Sequence, residues 1–143
     1  MKAQISDKGK RLTEEDWADL EKESKVTLPS EYRLFLLENN GGLPKPFVVD
    51  VEGASGSPTD VQVFFGIART IESSDLRWNR RIVSDRVPAD LLPIACDSGG
   101  SLFCLSLRVR DAGSIIFVDL EQGDPAFYFV ADGIDSFLAK LKE

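Results

Sequence analysis

The chain has 143 residues, 43% of them apolar and 29% charged, and carries a net charge of −7 from 17 basic and 24 acidic groups. That length predicts a single domain over residues 1–143 with its own core, and no apolar run reaches the roughly 18 residues of a membrane span. Histidine is absent and only two cysteines occur, which removes Ser/His and Cys/His nucleophiles and any thiolate zinc site, while the acidic balance argues against nucleic acid as a ligand.

The first residues, Met1 to Lys8, lack the apolar stretch of a secretory leader, so a cytoplasmic setting is expected. Thr13 before Glu14, Glu15 and Asp16 reads as an N-cap with an acidic first turn. It predicts a short, mostly polar helix over 14–24, with Trp17 and Leu20 on one face. A second helix follows from Leu28 to Asn40, with Pro29 in its first turn. Tyr32, Phe35 and Leu36 share one face and Leu34 and Leu37 another, which predicts packing against both the first helix and a sheet. Gly41 supplies a left-handed stop, and Pro44 and Pro46 prevent resumption.

The period then becomes that of strands. Strands are predicted at Phe47–Val51 and Val61–Ile67, separated by a Gly/Ser/Pro loop over 53–58. Residues 70–86 read as one irregular helix rich in arginine, with Glu72, Asp75 and Asp85 as neutralising neighbours. Four strands in succession follow, at 91–96, 101–108, 114–120 and 127–131. Short turns at 97–100, 111–113 and 121–125 join them, so they pair antiparallel. Their long apolar runs predict at least partial cover on both faces. Asp132 caps a last helix whose Ile134, Phe137, Leu138 and Leu141 form an apolar stripe. The fold class is therefore α+β: a mainly antiparallel sheet with an N-terminal helix pair and a C-terminal helix packed on it.

Each motif with chemical potential has a plainer explanation. A tight 97–100 turn puts Cys104 opposite Pro93 rather than Cys96, so the two cysteines read as core residues and not as a redox pair. Asp97-Ser98-Gly99-Gly100-Ser101 has no following lysine and leads into a strand, unlike a phosphate loop. Asn39-Asn40-Gly41-Gly42 is explained by a helix stop. Asp119, Glu121 and Asp124 do not match a twelve-residue calcium loop, and Pro125 interrupts them. They read as a solvated acidic rim. No catalytic, cofactor-binding or metal-binding residue is assigned.

The segment Leu28-Pro29-Ser30-Glu31-Tyr32-Arg33-Leu34-Phe35 through Asn39-Asn40-Gly41-Gly42-Leu43-Pro44 resembles the LP-x-x-Y/F-x-x-F-L…N-G-G-x-P signature of the SUKH superfamily. That superfamily includes the fungal cell-wall-assembly regulators and many bacterial proteins. Leu92-Pro93-Ile94-Ala95-Cys96-Asp97-Ser98-Gly99-Gly100 is similar to its strand–turn–strand motif, with Ser101 where Asn or Asp is common. Val130-Ala131-Asp132 before the last helix is a third match, in the family's order. The resemblance implies a non-enzymatic domain without cofactors. In its bacterial form it implies an immunity protein that binds and neutralises a cognate toxin, often a nuclease. The alternative is a regulatory scaffold module joining endogenous proteins. The loop 53–58 and the acids Asp119, Glu121 and Asp124 are the expected partner-facing positions.

Overall fold

Residues 3–25, 27–121 and 123–143 are described by a computed structural model. Met1, Lys2 and Gln122, the last within the predicted 121–125 turn, lie outside the described residues, as does Val26. The chain opens with strand β1 (Gln4–Ser6), which pairs antiparallel with β2 (Leu43–Lys45). Both are too short for periodicity to reveal. Between them lie α1 (Glu14–Ser24) and α2 (Ser30–Asn39). The Thr13 hydroxyl accepts the Asp16 N–H at 3.2 Å while an Asp16 carboxylate oxygen accepts the Thr13 N–H at 2.8 Å, so the predicted start of α1 is a reciprocal cap. The Thr13 N–H and hydroxyl, both donating to the carboxylate, hold the Asp16 carboxyl below its usual range.

Pro29 is the residue before α2 and not within its first turn. The left-handed residue that ends α2 is Asn40, with φ 47°, one position ahead of the expected Gly41. Tyr32, Phe35 and Leu36 are buried as their shared face requires. Leu34, expected to pack, is 68% exposed, because α2 is covered on one side only.

The expected strand at 47–51 contracts to β3 (Val48–Val49), paired with β4 (Thr59–Asp60). The strand at 61–67 contracts to β5 (Val63–Phe64). Its flanks still follow the neighbouring strand, since Gln62 N–H reaches Cys96 O and Phe65 N–H reaches Ile94 O, both at 2.8 Å. The arginine-rich segment is not one helix: a 3-10 turn over Glu72–Ser74 precedes α3 (Leu76–Ile82). The Asp75 carboxylate accepts the N–H groups of Arg77 and Trp78 and so starts α3 afresh.

The C-terminal half is the predicted meander of β6 (Leu91–Cys96), β7 (Leu102–Ser106), β8 (Ile115–Asp119) and β9 (Ala126–Ala131). With β5 these form one sheet in the order β5-β6-β7-β8-β9. Cys104 lies opposite Pro93 and Cys96 opposite Leu102, as the turn length required. Helix α4 (Ile134–Lys140) closes the chain. Its start is capped by Ser136 Oγ on the Gly133 N–H at 3.2 Å and by Glu31 Oε1 on the Asp135 N–H at 2.7 Å, in place of the expected Asp132.

Helices α2 and α4 lie on one face of the sheet. Phe35 meets Phe64 at 5.0 Å between ring centroids, Phe137 meets Phe103 at 5.2 Å, and Phe103 meets Phe117 at 5.1 Å. Phe103, Phe117 and Tyr128 are direct cross-strand partners and mark that face across three strands.

Candidate partner-binding surface

Two places in the fold concentrate polar groups, and they differ in use. The first is the Asn39–Gly42 corner. The buried Asn40 side chain donates to Lys10 O (2.9 Å) and Ile67 O (3.0 Å) and accepts the Ile67 N–H at 2.6 Å. It fastens the N-terminal segment and the end of the β5 segment to the C-terminus of α2. Gly66 has no room for a side chain, since a Cβ there would stand 2.3 Å from Asn40 O. Every polar atom of the Asn40 amide is thereby committed to the fold, and a ligand has nothing to recognise here.

The second is the end of the sheet where the β6–β7 and β8–β9 turns lie side by side. Asp97 Oδ1 accepts the N–H groups of Gly99 (3.0 Å) and Ser101 (2.8 Å), and Oδ2 accepts the Thr59 hydroxyl at 2.8 Å. Asp60 accepts both the N–H and the hydroxyl of Ser98. The buried Ser101 hydroxyl accepts the Leu120 N–H at 3.1 Å and ties the two turns together. The Glu121 carboxylate rests against Gly99.

Of the three acids expected on a solvated rim, Glu121 and Asp124 are exposed and Asp119 is not. Asp119 is 5% exposed, and its Oδ1 accepts the Glu121 N–H at 2.9 Å, which shapes the turn. It turns inward because it is the last residue of a strand covered on both faces. Arg86 reaches this end too, donating to Leu120 O (3.2 Å) and Gly123 O (2.5 Å). Asp60, which the sequence did not single out, joins the acidic end because β4 runs beside the 97–101 turn.

Nothing in the sequence signals what adjoins these acids. Phe127 and Phe129 on β9 are 47% and 56% exposed. They flank Tyr128, which lies on the α4 face, so alternation turns both rings to the opposite face. The cover expected on both faces of the meander strands is therefore only partial at β9. The loop 53–58 approaches from the Tyr128 side, where a Cβ on Gly53 would lie 3.6 Å from the Tyr128 ring.

The other candidates are structural. Burial and the nearby Asp97 and Asp60 charges push the Cys96 thiol up to about 11, so it stays protonated and weakly nucleophilic near neutral pH. Burial raises Cys104 further. Among the described residues the close partners of the arginines at 69, 77 and 80 lie elsewhere in the chain than Glu72, Asp75 and Asp85. Arg77 pairs with Glu23 at 2.6 Å, Arg69 donates to Asp7 O at 2.8 Å, and Arg80 donates to Ser24 Oγ and Ala89 O. A cleft of about 550 Å³ between the starts of α2 and α4 is lined by Pro29, Tyr32, Leu105 and Ile134. Its Glu31 carboxylate is engaged with α4. Among the described residues no three His, Cys, Asp or Glu side chains converge to hold a metal, and no helix is long and apolar enough to cross a membrane.

The helix pair, the Asn39–Gly42 corner and the 97–101 turn bring together the segments on which a family assignment depends, and a family model for the SMI1 / KNR4 family (SUKH-1) matches residues 11–140. The chain belongs to this family. SUKH domains occur in toxin-immunity and interaction systems and are generally non-catalytic. In the structure Pro44 lies in β2, Asn40 ties the corner together and Asp97 shapes the turn. The chain is also similar to YokK, an SPbeta prophage-derived uncharacterized protein of Bacillus subtilis (strain 168). The two are 28% identical over 147 residues, covering 90% of this chain and 74% of the relative.

Proposed function

We propose that this SUKH domain is an immunity protein that binds a cognate toxin and blocks it by occupying its surface, with no reaction of its own. The observation that carries the reading is the acidic end of the sheet, where Asp60 bonds Ser98 in the β6–β7 turn and exposed Glu121 and Asp124 precede the strand that carries two exposed phenylalanines. Nuclease active sites are basic because they hold phosphates, and a negative patch complements them and speeds encounter. Family membership supports the reading, as does the prophage origin of YokK, since toxin–immunity pairs travel on mobile elements. The cytoplasm is the compartment in which such an immunity protein guards its cell.

The test is capture of the bound protein from the native host with the full chain as bait, followed by growth rescue. Co-expression of the chain with the captured protein's toxic domain should restore growth. Changing Glu121 and Asp124 to lysine should slow association at least tenfold at low salt and flatten its salt dependence. Asp119 is left out of that pair because it is buried in a turn. A captured partner that is an endogenous, non-toxic protein would replace this reading by that of a regulatory scaffold.

A further inference from the structure

A sheet has two edges, and this fold treats them differently. Beyond β5 the backbone continues to pair, since Gly42 and Phe64 exchange N–H to O bonds of 3.1 and 2.8 Å and lead on to β2 and β1. Beyond β9 no further strand pairs among the described residues: β9 is the last strand of the sheet, and its register is with β8 alone. Among the described residues no hydrogen bond joins the backbone of 126–131 to a loop, a helix or a side chain. An edge of this kind presents a row of unmet N–H and C=O groups, and proteins usually blunt it with charge, proline or a bulge. Here Pro125 guards one end, and an irregularity opposite Ile115 and Ile116 guards the other. Between them Ala126–Phe129 carries no charge and shows two phenyl rings to solvent.

Charge decides what fits. Exposed Glu121 and Asp124 precede the open stretch and exposed Asp132 follows it. A second copy pairing antiparallel about the middle of β9 would set Asp124 near Asp132 of its mate, between two chains each of net charge −7. Like charges so placed oppose pairing. A strand with lysine or arginine beyond each end of a short apolar stretch meets attraction at both ends.

We infer that β9 accepts an extended, basic-flanked segment of the partner protein as a sixth strand of the sheet, over Ala126–Phe129. Main-chain bonds would supply affinity in this mode and the alternate side chains specificity. Apolar side chains of the added strand lie over Phe127 and Phe129, and its cations meet Asp124 and Asp132. This rests on the reading of the chain as a protein-binding domain and names the surface used.

The probe is a capped twelve-residue peptide with alternating valine and threonine at its centre and two lysines at each end. It is titrated into the isotopically labelled full chain and followed by backbone amide resonances. Shifts should centre on Ala126–Ala131, and a peptide ending in glutamates should bind at least tenfold more weakly. A central proline, or the F127T/F129T double substitution, should abolish the shifts, with the variant's melting curve near the parent's. Shifts located elsewhere, or unchanged by the proline, would overturn the assignment. So would β9 shifts in peptide-free samples that vanish on dilution, which would identify a second copy as occupant. If F127T/F129T still neutralises the captured toxin as the parent does, the edge assignment fails while the immunity reading stands. Peptide docking on β9 by a chain that captures no toxin does the reverse: the edge assignment stands and the immunity reading fails.

Discussion

Strands β8 and β9 are neighbours and both largely apolar, yet their side chains have different fates. All five residues of Ile115–Asp119 are buried, an aspartate included. Along Ala126–Phe129 exposure alternates, and two phenylalanines face water. The difference is position: β8 has a strand on each side, and β9 has one. Apolar content therefore marks a residue as suited to burial without deciding that it is buried. The two turns that bound β8 differ in the same way. At the β7–β8 turn Asp111 is fully engaged, accepting from Ser106 Oγ at 2.5 Å and Arg108 Nη2 at 2.6 Å. At the β8–β9 turn Glu121 and Asp124 are left facing solvent.

The sharpest break of this contrast comes from the covered side. Leu138→Asp puts a charge between α4 and the sheet and should leave the chain unfolded or aggregated, as read by a lost thermal transition; an unchanged melt would remove α4 from the core. Next in size is a matched pair. Phe117→Ala should cost about 3–5 kcal/mol in denaturant unfolding, whereas Phe129→Ala should cost less than about 1 kcal/mol. Equal losses would mean that β9 is as enclosed as β8.

The acid limb gives a smaller effect. Hydrogen bonds from Arg108, then Ser106, hold the Asp111 carboxyl below its ordinary 3.8. A depressed carboxylate stabilises the fold above its unfolded value, and that contribution disappears as pH falls through the folded value. Asp111→Asn should therefore lower stability at neutral pH and flatten the fall below pH 3.8. An acid limb that keeps its slope in this variant would show that the β7–β8 turn contributes nothing to it. The smallest effect is a gain. Tyr32 is 1% exposed, and among the described residues its hydroxyl has no partner. Tyr32→Phe should raise stability by about 1 kcal/mol, because an unmet buried hydroxyl costs more than it returns. A loss on that substitution would reveal a bonded hydroxyl.

Much of this was legible residue by residue. Thr13 with Asp16 fixed the start of α1, the apolar stripe fixed α4, and the length of the 97–100 turn fixed Cys104 against Pro93. These are local: each depends on residues a few positions apart and on geometry that every helix or hairpin shares. The candidate surface was legible only in part. Glu121 and Asp124 were foreseen at an exposed turn, but Asp119 belongs to the end of a buried strand, and Asp60 arrives from a two-residue strand with no periodic signal. The exposure of Phe127 and Phe129 was not legible, because a single strand does not reveal how many neighbours it has.

The sequence by itself determined the α+β class, the order of the main elements, the family and the turns of the meander, since capping, turn chemistry and apolar periodicity act over short stretches of chain. Tertiary structure alone decided that Asn40 ties three segments together, that Asp119 turns inward, and that one edge of the sheet is extended by β2 while the other is open. Those outcomes depend on which distant backbone groups find partners, and hydrogen-bond satisfaction across a sheet is a property of the assembled strands.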